Sequence, residues 1–147
     1  PVSGQLPAAG ARHTLLIYAH YDGQPVDPAR WSSPPWTPVL RTAAPDQGGR
    51  AVPLDTLETG RVDPQWRLYA RSASDDKAPL IAVLAAIDAL QAAGVPRSVN
   101  LKFFLEGEEE AGSTHLEKVR AGQAGQLAPD GWLLFDGPVH QTRRMQV

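Results

Sequence analysis

The chain has 147 residues, enough apolar content for one core, a formal net charge of -2 and a pI near 6.1. That balance gives no broad basic surface for nucleic acid, and the absence of cysteine excludes disulfides, thiolate metal sites and thiol nucleophiles. The longest apolar run, residues 80–90, is broken by alanines and an aspartate and falls short of a membrane span.

In chain order, Pro1-Val2-Ser3-Gly4 has neither a signal-peptide pattern nor the form of a natural start. Residues 14–19 form a short, nearly continuous apolar run, the pattern of a buried strand. Residues 20–38 are rich in Pro, Asp, Trp and Ser and predict an ordered loop. Residues 42–63 are polar, with Gly48, Gly49 and Gly60, and predict an exposed excursion that could be an elaborated hairpin. Residues 66–70 predict a second strand. A helix is expected over 78–93, with Leu80, Val83, Leu84, Ile87 and Leu90 on one face and Gly94 and Pro96 at its end. Val99, Leu101, Phe103 and Leu105 alternate as a strand, 113–121 suits a short helix, and 132–135 a final strand. This order predicts an α/β fold, a three-layer sandwich with a mainly parallel sheet covered on both faces. The end, Arg143-Arg144-Met145-Gln146-Val147, stops on what could be an opening strand, so the chain is expected to be a piece of a longer one.

The chemistry-bearing residues cluster at the ends of these strands. His20 and Asp22 follow the first, Glu106, Glu108, Glu109 and Glu110 end another, and Asp136 ends the last. Asp75 lies between a strand and the helix after it. Carboxyl ends of strands form the ligand-binding edge of open α/β sheets, so four distant segments can converge there. Four crowded glutamates repel one another, and a cation would relieve them; imidazole and carboxylate together are ligands for zinc and other divalent ions.

Each motif also has a plainer reading. A histidine at a strand end is commonly a loop hydrogen-bonder, Asp75-Asp76-Lys77 suits an acidic helix N-terminus that favours the macrodipole, and Asp136-Gly137 is a common turn. Asp76 is expected to belong to such an acidic helix start, Glu108 is expected to be solvated, and Glu106 takes no role. His13 is expected at the surface, and His115 in a solvated place or one behind the ligands. His140 is not assigned. Trp31, Trp36, Trp66 and Trp132 are expected to be packing residues, and Lys77 to balance the acidic cluster.

In order, His20-x-Asp22, Ser74-Asp75-Asp76-Lys77, the run from Glu106 to Ser113, and Phe135-Asp136-Gly137 resemble the M20 family of metallopeptidases. That family is the group of carboxypeptidase G2, aminoacylases and carnosinase-like dipeptidases. The stretch His20-Tyr21-Asp22-Gly23-Gln24-Pro25-Val26, with Trp31 and Pro34-Pro35-Trp36-Thr37-Pro38 behind it, is most similar to the dipeptidase branch.

The resemblance implies a zinc-peptidase-like catalytic domain holding two Zn2+ ions, with Co2+ or Mn2+ as substitutes. His20 and Asp136 would bind one ion, Glu110 the other, and Asp75 would bridge them. Asp22 would orient His20, and Glu109 would be the general base. It implies hydrolysis of a peptide or amide bond in a small peptide or an N-acyl amino acid, with no nucleic-acid or membrane partner. A homodimer is one assembly it allows, and the cytoplasm is the favoured compartment. Residues 1–147 would then be the N-terminal part of the catalytic domain. The family's distal histidine, its dimerisation domain and the rest of the catalytic domain would lie outside, leaving the fragment alone inactive. One departure stands out. Many members read Gly-Arg-Gly before the aspartates, whereas this chain has Ala70-Arg71-Ser72, so a re-shaped loop is expected there.

Overall fold

The computed structural model describes residues 1–137, so His140 and the expected strand opening near 143–147 lie outside the described residues. The chain divides into two compact units, one made of residues 1–23 with 74 onward and the other of residues 24–73.

The first unit is built on a four-stranded sheet. Its strands are β1 (Val2–Leu6), β2 (Thr14–His20), β6 (Asn100–Glu106) and β7 (Gly131–Leu134), in the order β1-β6-β2-β7. β2 runs parallel to both β6 and β7, while β1 closes the edge antiparallel to β6. The α/β fold with a mainly parallel sheet is therefore present. β1 was not foreseen from the sequence. It is an exposed edge strand carrying Ser, Gly and Gln, so it shows no apolar alternation, and its pairing with β6 supplies the order.

β6 lies between β1 and β2, and burial on both faces replaces the expected alternation: Leu101, Phe104 and Glu106 are all buried. Alternation along β2 puts Leu16, Tyr18 and His20 on one face and Ile17 and Ala19 on the other. Leu16 packs with Phe104 and Leu127, and Tyr18, Leu116 and Val119 surround that cluster. The last two lie on α2 (Leu116–Gly122), and Leu127 ends α3 (Ala124–Leu127). α2 begins later than the expected 113, because Gly112 and Ser113 both take left-handed backbone (φ 86° and 52°).

α1 (Ala78–Ala92) matches its prediction closely. Its end is a left-handed Gly94, with Gly94 N–H donating to Gln91 O and Val95 N–H to Leu90 O, the paired bonds of a Schellman stop. Of its expected inner face, Leu80, Val83 and Ile87 are half-buried, but Leu84 and Leu90 are exposed. Among the described residues, no helix is long and apolar enough to cross a membrane.

The second unit holds a three-stranded antiparallel sheet, with β3 (Val39–Arg41) between β4 (Ala51–Val52) and β5 (Arg67–Tyr69). The expected strand at 66–70 therefore exists, but it pairs in this separate sheet rather than in the parallel one. The polar excursion is part of the same unit, with β3 and β4 as its hairpin and a 3-10 segment, Leu54–Thr59, after it. Arg71 lies over the Trp31 ring at 5.2 Å, so Trp31 does pack. Trp36 and Trp132 do not fit the packing expectation, being 59% and 47% exposed. In the loop where a change was expected, Ser72 is buried and holds φ at 63°, a left-handed conformation that favours glycine.

Candidate metal centre

The candidate site grows out of the carboxyl ends of β2 and β6. Parallel register sets His20 beside Glu106, and the face that is apolar at Leu16 and Phe104 becomes polar at these last residues. His20 is 1% exposed, an expensive place for an imidazole unless both nitrogens are used.

Nδ1 lies 3.2 Å from Asp22 Oδ1. Nε2 faces Asp75 Oδ1 at 3.0 Å, Asp136 Oδ2 at 3.8 Å and Glu109 Oε2 at 3.9 Å. None of these oxygens is aligned for a hydrogen bond, so Nε2 is a buried polar atom without a hydrogen-bond partner. One ligand atom each from His20, Asp75 and Asp136 lies within 4.8 Å of the others. An orphaned, buried imidazole nitrogen facing carboxylates fits a divalent cation. These three residues could hold one.

Electrostatics point the same way. Burial pulls the His20 pKa down, but the charges of Asp136, Asp76, Glu109 and Asp75 outweigh it and hold it above the ordinary value. A field that favours a proton on this ring also favours a cation in its place. Burial raises the pKa of Glu109; His20 opposes that rise, while Asp136, Glu110 and Asp22 add to it.

Asp22 connects two parts of the site. Its Oδ1 faces His20, and its Oδ2 accepts the Glu110 backbone N–H at 3.1 Å. The Glu110 carboxylate is not in the three-residue group around His20. Glu109 and Glu110 lie in the single 3-10 turn Glu109–Ala111 that follows β6.

Two buried acids were not assigned from sequence. Asp76, expected as part of an acidic helix start, is 2% exposed and accepts the His20 backbone N–H at 3.1 Å, while the preceding Asp75 carboxylate faces Nε2. The peptide bond between the two aspartates is cis. Nothing in the residue pattern separates Asp76 from an acidic helix start. Glu106 is 3% exposed and accepts the Tyr18 hydroxyl at 2.7 Å; its one signal in sequence is that it closes an apolar strand. Lys77 donates to Tyr21 O at 2.6 Å. Glu108 stays half-exposed and pairs with His115 Nδ1 at 2.9 Å, and His13 is exposed, 3.8 Å from Asp130.

Residues 16–142 match the model of peptidase family M20/M25/M40. The chain belongs to that family. This M20 chain is 34% identical over 124 residues to the Cys-Gly metallodipeptidase dug1 of Schizosaccharomyces pombe, covering 84% of the chain and 21% of the relative. It is 30% identical over 119 residues to the human Beta-Ala-His dipeptidase, covering 80% of the chain and 19% of that protein. Among solved structures it is similar to an M20 family metallo-carboxypeptidase from Sulfolobus solfataricus. The TM-score is 0.69 at 31% identity, covering 97% of the M20 chain and 27% of that protein. The chain thus spans about a fifth of the length of the curated relatives it matches.

Proposed function

We propose that this M20 chain is the metal-binding part of a hydrolase that cleaves a peptide or amide bond in a small substrate, of dipeptidase or carboxypeptidase type. The observation that carries the reading is the buried His20 Nε2, without a hydrogen-bond partner and facing carboxylates from separate segments. Family membership and the dipeptidase and carboxypeptidase relatives support the reaction class.

In this reading His20, Asp75 and Asp136 would hold one Zn2+, and Asp75 with Glu110 would contribute to holding a second. A histidine-carboxylate donor set supports zinc. Bound divalent ions lower the pKa of water and polarise a scissile carbonyl. The chain's own residues do the rest. Asp22 fixes the His20 tautomer so that Nε2 presents its lone pair. Through its other oxygen it holds the backbone of Glu110, which keeps the glutamate turn in register with His20. Glu109 takes a proton from the attacking water and delivers it to the leaving amine.

The test is Glu109→Gln in the full-length protein, assayed on a panel of dipeptides and N-acyl amino acids together with metal analysis. Turnover should disappear while the metal content stays near that of the wild type. Near-normal turnover in Glu109→Gln would remove Glu109 as the base. A wild-type protein with no divalent ion and chelator-insensitive stability would remove the metal reading.

A further inference from the structure

The turn that carries Glu109 and Glu110 is anchored by a buried pair for which the reaction above has no use. Glu106 ends β6, is 3% exposed, and accepts the Tyr18 hydroxyl at 2.7 Å. Burying a carboxylate costs more than one hydrogen bond to a neutral hydroxyl returns, and an apolar residue of similar size would serve stability better. A buried hydrogen-bond acceptor at this position calls for a purpose other than stability.

The surrounding geometry supplies one. The Tyr18 ring stacks on Phe104, with centroids 6.3 Å apart and planes at 17°, and Phe104 belongs to the core cluster. The hydroxyl is therefore placed by the rigid part of the sheet. From there the hydroxyl donates to the Glu106 carboxylate at the end of the neighbouring strand. Immediately after Glu106 the chain leaves the sheet. Glu106 O accepts the Tyr21 N–H at 2.9 Å, and a Cβ on Gly107 would fall 2.5 Å from the Tyr21 hydroxyl oxygen, so the Tyr21 side chain lies directly against Gly107. The turn then closes on itself, with Gly112 N–H donating to Glu109 O and Ser113 N–H to Glu108 O, both at 2.8 Å. Asp22 ties its middle at the Glu110 N–H. Glu106 is the point where this turn is fastened by a side chain to the core.

We propose that Tyr18 and Glu106 are positioning residues: their hydrogen bond fixes the end of β6 and, through it, the turn that aims Glu109 at His20 Nε2. The proposal rests on the hydrolase reading for its effect on turnover, but its structural half is independent of it. Among the described residues, Glu106 is outside the group of His20, Asp75 and Asp136 that could hold an ion.

The experiment compares full-length wild type with Tyr18→Phe, which removes the donor, and Glu106→Gln, which still accepts the bond. Cleavage of the dipeptide Cys-Gly, zinc affinity and amide hydrogen exchange over 107–112 are measured on each. Tyr18→Phe should lower kcat by about tenfold or more, with KM and zinc affinity within about threefold, because misplacing a reacting group acts on the chemical step. Exchange over 107–112 should speed up about tenfold in the same variant through easier local opening. Glu106→Gln should stay within about threefold of wild type on every readout, since the acceptor geometry is kept. Unchanged exchange and kcat in Tyr18→Phe would overturn the proposal, as would a Glu106→Gln loss as deep as that of Tyr18→Phe. A wild type that protects 107–112 and loses that protection in Tyr18→Phe, yet cleaves no dipeptide, supports the positioning role and overturns only the hydrolase reading.

Discussion

Two histidine-carboxylate pairs in this molecule make opposite points. His115 lies 2.9 Å from Glu108, closer than the 3.2 Å between His20 and Asp22. Yet the His115 and Glu108 side chains are 66% and 48% exposed, while the His20 side chain has no exposure. An exposed pair gains little, because water competes for both partners. A buried imidazole must use both nitrogens, and His20 uses Nδ1 on Asp22 and leaves Nε2 facing three carboxylates. Contact distance does not mark a site. Burial combined with convergence from separate elements does.

That contrast is broken or sharpened by graded changes in the full-length protein. The largest effect should come from Glu109→Gln, with turnover lowered by about a hundred- to ten-thousand-fold and bound metal retained, read by steady-state kinetics and metal analysis. Asp22→Asn should cost about ten- to a hundredfold in zinc affinity, read by competition with a chelating dye, because it releases the His20 tautomer. Asp76→Ala leaves the buried His20 N–H without its acceptor and should lower unfolding free energy by about 1–3 kcal/mol in a denaturant titration. The smallest effect should come from His115→Ala, with stability changed by less than about 0.5 kcal/mol and zinc affinity unchanged. A large zinc effect of His115→Ala would erase the distinction between the two pairs.

The sequence made the alternating elements legible because β2, α1 and β6 carry strong local patterns. It also brought His20, Asp75 and Asp136 forward, since strand ends on one edge of a parallel sheet must lie near one another. Features that depend on pairing partners were not legible. β1 has no apolar pattern and is ordered by its register with β6, and β5 looks like a parallel strand until its antiparallel partner β3 is known. Asp76 and Glu106 are acids in acidic surroundings, and only tertiary contact shows that one holds the His20 backbone and the other the Tyr18 hydroxyl. The left-handed backbone at Ser72 was not legible either, because serine does not signal that conformation as glycine does.

The central claim is that His20, Asp75 and Asp136 together bind a divalent ion. Its most direct test is a zinc titration by calorimetry on the full-length wild type, His20→Ala and His115→Ala, folded to the same extent by circular dichroism. The account predicts binding lost or sharply weakened in His20→Ala and indistinguishable from wild type in His115→Ala. Equal zinc binding by all three would contradict it.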